Sequence, residues 1–402
     1  MTTQTAAPQQ RLSAPQQDQI ATRLILQQAI DKSQSVASTT VFPASNPVLI
    51  INPQNVGLIK RFLIKVQGVL TNSGSTTVNL TQFGLANIFS QNGGLQYLDL
   101  NNYLRINTNG IHLTMLANAK RRGPFGGSYQ TNTANGSNLS EMLNVPPATW
   151  PVFQAPQTIA SGATANFTAY FEMPLAYTND DLRGAVYANV LNAVQQLTLT
   201  FNQQVVSAGT NDDTFAIYSG AAGSAGSITS ATVTVYQYYL DQLPMTKTGV
   251  LLPQLSLSTV YELKSVLNSS IPQNQEFYMP YANQRSFAST FGIFNSTGQA
   301  GGRNTGSDIN YLALQATNSQ YFWKLDPTTV ALQGRDELTT DLPAGTYYFP
   351  SRRRNIATLQ YGNVQLTLNN AAATNAAAYF LAMYESFALL NTLQSGPSLS
   401  QS

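Results

Sequence analysis

Three observations predict an all-β chain made of two similar domains. The tetrapeptide Gln-Leu-Thr-Leu occurs twice, at 196–199 and 365–368, each time the same distance beyond a proline, Pro174 and Pro343. Each copy is followed by one further apolar run, Val233 to Leu240 and Tyr379 to Leu390, after which the pattern stops. The runs alternate polar and apolar residues, as half-buried strands do, and 402 residues give each of two domains room for its own core. Between the copies, Tyr236 to Pro253 reads as a hinge. The expected organisation is an N-terminal arm and amphipathic helix over 1–46, a first β domain over 47–243, a linker over 244–253, a second β domain over 254–393 and a flexible arm over 394–402.

Taken in order, residues 1–14 hold Gln, Thr, Ala and Pro and cannot bury enough surface to order themselves alone. From Pro15 to Ser35 the spacing of Ile20, Leu24 and Ile30 predicts a helix, with Ser13 as cap and Pro15 in the first turn. Its weak amphipathicity fits docking on protein or on a lipid surface. Leu58 to Thr71 is a long two-faced strand, with Leu58, Phe62, Ile64, Val66 and Leu70 on one side and Arg61, Lys65, Gln67 and Thr71 on the other. Ile111 to Ala119 reads as a short helix. Phe167, Ala169, Phe171 and Met173 alternate with polar partners as a strand, and Asn179 to Val190 reads as a helix capped by Asn179 or Asp180. In the second half Phe287, Phe291 and Ile293 form a core strand, Asn295 to Ser307 is a Gly-rich loop, and Asp326-Pro327 opens a helix that runs to about Leu338.

Composition narrows the function. Charged residues make up 9% of the chain, against about a quarter in typical soluble proteins, and amide and hydroxyl residues take their place. Such a surface suits contact with further copies of itself, because amides and hydroxyls are buried at less desolvation cost than ions. A net charge of +2 lacks the basic face of a nucleic-acid binder. The absence of cysteine excludes disulfides and thiolate metal sites and fits folding in a reducing cytoplasm. The N-terminus shows no signal-peptide pattern, and no run is long enough to be a membrane span.

No catalytic constellation emerges, and no cofactor or metal is expected. His112 is the only histidine, so a Ser-His-Asp or Cys-His pair has no alternative base, and a hydrogen-bonded structural role is the simpler reading. Asp180-Asp181, Asp212-Asp213 and Asp336-Glu337 are sequence neighbours, whereas glycoside hydrolysis needs carboxyls facing across a cleft. Gly301-Gly302-Arg303-Asn304-Thr305-Gly306 lacks the Lys-Ser/Thr of a phosphate loop. Two basic clusters remain, Lys120-Arg121-Arg122 and Arg352-Arg353-Arg354. They fit either solvated turns or an anionic membrane, where each basic residue contributes about 1 kcal/mol. With Ile20, Arg23 and Leu24 of the first helix, they are the candidate membrane- or partner-facing residues.

Blocks of sequence in order from about residue 20 to 390 carry a family resemblance. They include Asn55-Val56-Gly57 with Lys60, Phe62-Leu63 and Lys65-Val66; Phe83-Gly84 with Ala86-Asn87; and Pro174-Leu175-Ala176-Tyr177 running on through Gly184-Ala185-Val186 to Ala188-Asn189-Val190. Further blocks are Val235-Tyr236-Gln237, Tyr239 to Pro244, Leu257-Ser258-Thr259, Tyr281-Ala282-Asn283, Asp308 to Leu312, Lys324 to Pro327 and Leu359 to Val364. In these the chain resembles the major capsid proteins of tectiviruses, tailless icosahedral bacteriophages with a membrane inside the shell. The loops at 92–110, 128–140 and 296–307 depart from the family pattern. The resemblance implies a double jelly roll, two eight-stranded sandwiches side by side with short helices in the loops and an N-terminal helix. It also implies a homotrimer of pseudo-hexagonal outline that tiles the facets of a virion beside neighbouring trimers, a vertex (penton) protein and minor capsid proteins. By the same resemblance the N-terminal helix lies at the capsid base near the internal lipid membrane, assembly takes place in the bacterial cytoplasm, and neither an enzyme activity nor specific nucleic-acid binding is inherited. A receptor- or carbohydrate-binding spike or fibre is the alternative, and a β-sandwich polysaccharide hydrolase a more distant one.

Overall fold

The computed structural model describes residues 13–120, 152–190, 192–209, 215–247, 249–269, 271–299, 309–316, 320–338, 342, 345–349, 356–358, 364–371, 373–374 and 376–389. The chain opens with helix α1 (Ala14–Gln28), started by Ser13, whose N–H donates to Gln16 Oε1 at 2.9 Å, and by Pro15 in the first turn. The helix expected to reach Ser35 ends at Gln28. Ala29 is already extended, and the Ser-, Thr- and Val-rich segment that follows is strand β1 (Ile30–Val41).

Seven more strands complete the first barrel: β2 (Val48–Ile51), β3 (Leu58–Asn72), β4 (Leu95–Leu98), β5 (Leu104–Thr108), β6 (Thr164–Pro174), β7 (Gln196–Thr200) and β8 (Gly226–Asp241). Helix α2 (Gly110–Lys120) lies between β5 and β6. The strands pair as β1-β8-β3-β6 in one sheet and β2-β7-β4-β5 in the other. Alternation along them decides what is buried. Phe62, Ile64, Val66 and Leu70 of β3 and Phe167, Ala169, Phe171 and Met173 of β6 point into the core, with Lys65, Gln67, Thr168 and Tyr170 on the outer side.

A short helix, α3 (Gln254–Leu257), leads into the second barrel: β9 (Thr259–Ser269), β10 (Gln275–Pro280), β11 (Ser286–Asn295), β12 (Ile309–Ala316), β13 (Gln320–Leu325), β14 (Thr346–Phe349), β15 (Val364–Asn370) and β16 (Tyr379–Leu389). Helix α4 (Pro327–Leu338) lies between β13 and β14, capped as its sequence predicts by Asp326, which accepts from the Thr329 N–H at 3.0 Å. The sheets run β9-β16-β11-β14 and β10-β15-β12-β13. Each of these eight strands of the first barrel therefore has its counterpart eight strands later in the same place, and α2 has its counterpart in α4. This is a jelly roll made twice.

The barrels stand flank to flank. β5 pairs parallel with β9 through Ile106 and Leu263 and through Asn107 and Lys264, which fuses a sheet of each barrel into one. Hydrophobic packing crosses the same boundary. Tyr261, Phe291, Ile293, Leu381, Met383 and Phe387, on the outward face of β9-β16-β11-β14, belong to the same buried cluster as the first barrel's interior. The opposite face of that sheet, with Phe287, Phe294, Phe380 and Tyr384, closes the second barrel's own core. A sheet covered on both sides accounts for the nearly unbroken burial along β11.

Two further expectations change. Residues 179–190 form turns and a two-residue strand, Val186–Tyr187, and not a helix. The Thr178 hydroxyl accepts the N–H groups of Asp180 and Asp181, Asp181 binds Arg183 at 2.6 Å, and Gly184 takes φ +86°, so side chains supply what a helix would. The proposed hinge begins later than Tyr236, because Tyr236–Asp241 is the end of β8. The connection then carries a small hairpin, Met245–Thr246 against Gly249–Val250.

Candidate assembly surfaces

Helix α1 lies over a third apolar cluster. Ala21 and Ile25 are buried, Ile25 among Leu58, Leu182, Ala185, Leu240 and Leu257. Asp18 fixes the helix to the start of the second barrel: its carboxylate accepts the Leu255 N–H at 2.8 Å and the Ser256 hydroxyl at 2.6 Å. Of the candidate residues, Ile20 (45% exposed) and Arg23 lie on the outward side of α1 and Leu24 is half-buried. Lys120 is the last residue of α2. Arg121, Arg122, Arg352, Arg353 and Arg354 lie outside the described residues. Leu255, beside Asp18, and Met245 in the linker hairpin add exposed apolar surface.

The second surface is the junction between barrels, and sequence reasoning missed its polar part. Arg105 on β5 donates to Asp99 at 2.6 Å and to the Gly184 carbonyl at 2.9 Å, with both charged side chains buried. Glu262 on β9 is equally buried. It accepts from the Tyr103 hydroxyl, from Arg285 Nε at 2.6 Å, from Lys264 at 3.2 Å and from the Ser386 hydroxyl at 3.2 Å. Burial alone would push the Glu262 carboxyl up; Lys264, the Tyr103 hydroxyl and Arg285 outweigh it and hold the carboxyl below its ordinary range. Burial and the Glu262 carboxylate in turn push the Tyr103 phenol up to about 12. Glu385 accepts from Tyr261 at 2.7 Å and Ser289 at 2.6 Å on the face turned to the first barrel. Arg105, Glu262 and Arg285 are far apart in sequence, and their only early signal is the scarcity of charge. His112 is structural: its Nδ1 meets Thr108 Oγ1 at 2.7 Å and its ring packs edge-on against Phe291.

The third surface is the outer face of β1-β8-β3-β6. It carries hydroxyls and rings: Ser38 with Thr234 at 3.4 Å, Thr40 with Thr232 at 3.3 Å, and Arg61 over Tyr238 at 4.5 Å while bridging Glu172 at 3.2 Å. On the second barrel Tyr278 and Tyr321 are exposed, with Tyr278 and Tyr311 donating to Glu276 and Lys324 lying 3.8 Å over the Tyr311 ring. Among the described residues no group of three or more His, Asp or Glu could hold a metal ion, and no helix is long and apolar enough to cross a membrane. These surfaces combine hydroxyls, rings and charges that are mostly paired with one another.

Comparison with known proteins agrees with that character. Residues 2–243 match the N-terminal domain model of the P3 major capsid protein, and residues 258–400 match its C-terminal domain model. The chain is 38% identical over 371 residues to the major capsid protein P3 of Enterobacteria phage PRD1, covering 91% of this chain and 90% of that protein. Among solved structures it is similar to the STIV MCP (TM-score 0.59, 12% identity, 92% of this chain and 100% of the other). It is also similar to the capsid of the PBCV-1 virus (TM-score 0.51, 12% identity, 89% and 94%). Twin barrels of identical strand order, domain matches on either side of the connection between them and this level of identity along nine-tenths of the chain agree: the chain belongs to the P3 major capsid protein family of the tectiviruses.

Proposed function

We propose that this major capsid protein works as a homotrimer in which six barrels approximate a hexagon, and that such trimers tile the facets of an icosahedral shell. The observation that carries this reading is the repetition of strand order at an offset of eight, with the two barrels side by side. One chain thereby offers two similar flanks, and three chains offer six. A surface with 9% charged residues lets neighbours pack without stranding ions. The shell role of its relatives replaces the spike or fibre reading, and the protein acts by geometry and not as an enzyme.

In the same reading 47–243 and 254–393 are the two wall units, and α1 with the linker hairpin forms the base, turned toward an internal lipid membrane. The exposed Ile20 and Arg23 with Leu255 and Met245 support this, since they give that end apolar and basic character. The Lys120 and Arg352 clusters, the vertex protein and the minor capsid proteins complete the partners, and assembly proceeds in the host cytoplasm. Sedimentation equilibrium of the purified protein is expected to give a trimer that persists in moderate salt, as an interface above about 2,000 Å² would. A monomer at micromolar concentration overturns the reading.

A further inference from the structure

We propose that Asn92 is a self-modification site: in the folded protein its side chain cyclises onto the backbone nitrogen of Gly93 and reopens as aspartate and isoaspartate, while the same dipeptide at Asn109-Gly110 stays intact.

The chemistry needs an asparagine amide, a following residue with no Cβ in the way, and water. Once base has removed its proton, the Gly93 nitrogen bonds to Asn92 Cγ. The Cγ–Nδ2 bond breaks, and the amide nitrogen takes a proton from water and leaves as ammonia. Water then opens the cyclic imide. Attack at Cγ gives aspartate, and attack at the main-chain carbonyl carbon gives isoaspartate, in which the chain runs through Cγ. The sum is asparagine plus water going to acid plus ammonia, with no oxidant, reductant or cofactor.

The turn from Ser90 to Gly94 sets the dipeptide up for this step. The turn is clamped at its ends: the Ser90 N–H donates to the Thr200 carbonyl at 2.8 Å, the Thr200 N–H to the Gly94 carbonyl at 2.8 Å, and the Gly94 N–H to the Ser90 carbonyl at 3.0 Å. Between the clamps Asn92 is exposed, and Gly93 takes φ +68°. Among the described residues neither the Asn92 amide nor the Gly93 N–H has a hydrogen-bond partner. The side chain is therefore free to rotate, and no acceptor holds the proton that must leave.

Asn109-Gly110 has the same sequence and the opposite surroundings. Asn109 is fully buried, its Oδ1 accepts the His112 N–H at 2.9 Å, and its Nδ2 donates to the Gln91 carbonyl at 3.2 Å. A Cβ at Gly110 would meet the Ala86 carbonyl oxygen at 2.2 Å, which leaves no space for a ring. Cyclisation there has to wait for a local opening that breaks both bonds. Asn135-Gly136 lies outside the described residues. At Asn92 each event lowers the formal net charge of the chain by one from +2. The isoaspartate form also inserts a methylene into the main chain between the clamps, just before the buried Leu95 and Tyr97 of β4.

Trypsin separates the two sites, since Arg105 is the only cleavage point between them: 66–105 carries Asn92 and 106–120 carries Asn109. The purified full chain is held in warm, mildly alkaline buffer, digested at intervals, and the acid and isoaspartate are located by fragmentation mass spectrometry. Conversion at Asn92 is expected to run about tenfold or more ahead of conversion at Asn109 in the folded protein, and at a comparable rate in denaturant, where burial and hydrogen bonds no longer protect either site. Asn92→Gln, whose longer side chain closes a ring far more slowly, is expected to remove the acid from 66–105. Equal rates at the two sites in the folded protein overturn the proposal, as does an Asn92 that converts only in denaturant. Acid that still forms in 66–105 of Asn92→Gln as fast as in the wild type overturns it too, because another asparagine is then the source.

Discussion

Glu262 shows how a single side chain links the barrels to pH. Its carboxyl is buried yet held below its ordinary value, so the folded state favours the ionised form. The stability this contributes is present above the unfolded value of 4.5 and is lost as pH falls through the lower folded value. Urea titrations between pH 7 and 3 are expected to show a steeper loss below pH 4.5 in the wild type than in Glu262→Gln. Arg285→Ala is expected to cost about 3–5 kcal/mol at pH 7, because it strands part of a buried charge. At the alkaline end the tyrosines act in the opposite sense. Burial pushes the phenols of Tyr97, Tyr218, Tyr261, Tyr281 and Tyr384 well up, so the fold favours their protonated form. That stability is complete below the ordinary phenol value of 10.0 and is lost as pH rises beyond it. Ultraviolet titration is expected to show these five ionising only together with unfolding. Gradual ionisation while the far-ultraviolet spectrum stays native would contradict this.

Among the elements, α1 is attached by little: Ile25 in its pocket and Asp18 on α3. Ile25→Ala is expected to weaken the attachment by about 2–5 kcal/mol, read as faster amide exchange across 14–28 with the barrel strands unchanged. Much of this level was legible. The Gln-Leu-Thr-Leu runs are β7 and β15, true counterparts, and the Asp326-Pro327 signal marks α4 to its last residue. The prolines that framed the repeat are not counterparts, since Pro174 ends β6 whereas Pro343 precedes β14. The helix over 179–190 failed because acidic residues near a turn look the same whether they cap a helix or tie a loop. β1 was hidden because its inner face is nearly as polar as its outer one, which leaves no period-two signal. Helical spacing groups Ile20, Leu24 and Ile30 on one face, whereas the structure buries Ala21 and Ile25, leaves Ile20 exposed and puts Ile30 in β1; the buried charges of the junction come from strands brought together only by the tertiary fold.

For the whole molecule the decisive feature is that the first barrel's interior and the outward face of the second barrel's sheet form one cluster. Calorimetry is expected to give a single cooperative transition. Two resolved transitions would mean that the halves melt separately. The same feature sets an order of events during synthesis. The ribosome releases the first barrel before the second exists, and until then α2, Phe215 and Tyr177 have no Phe291, Tyr379 or Phe387 to rest on. The emerging half therefore keeps bare apolar surface, open to wrong contacts, for as long as translation takes to deliver its other half.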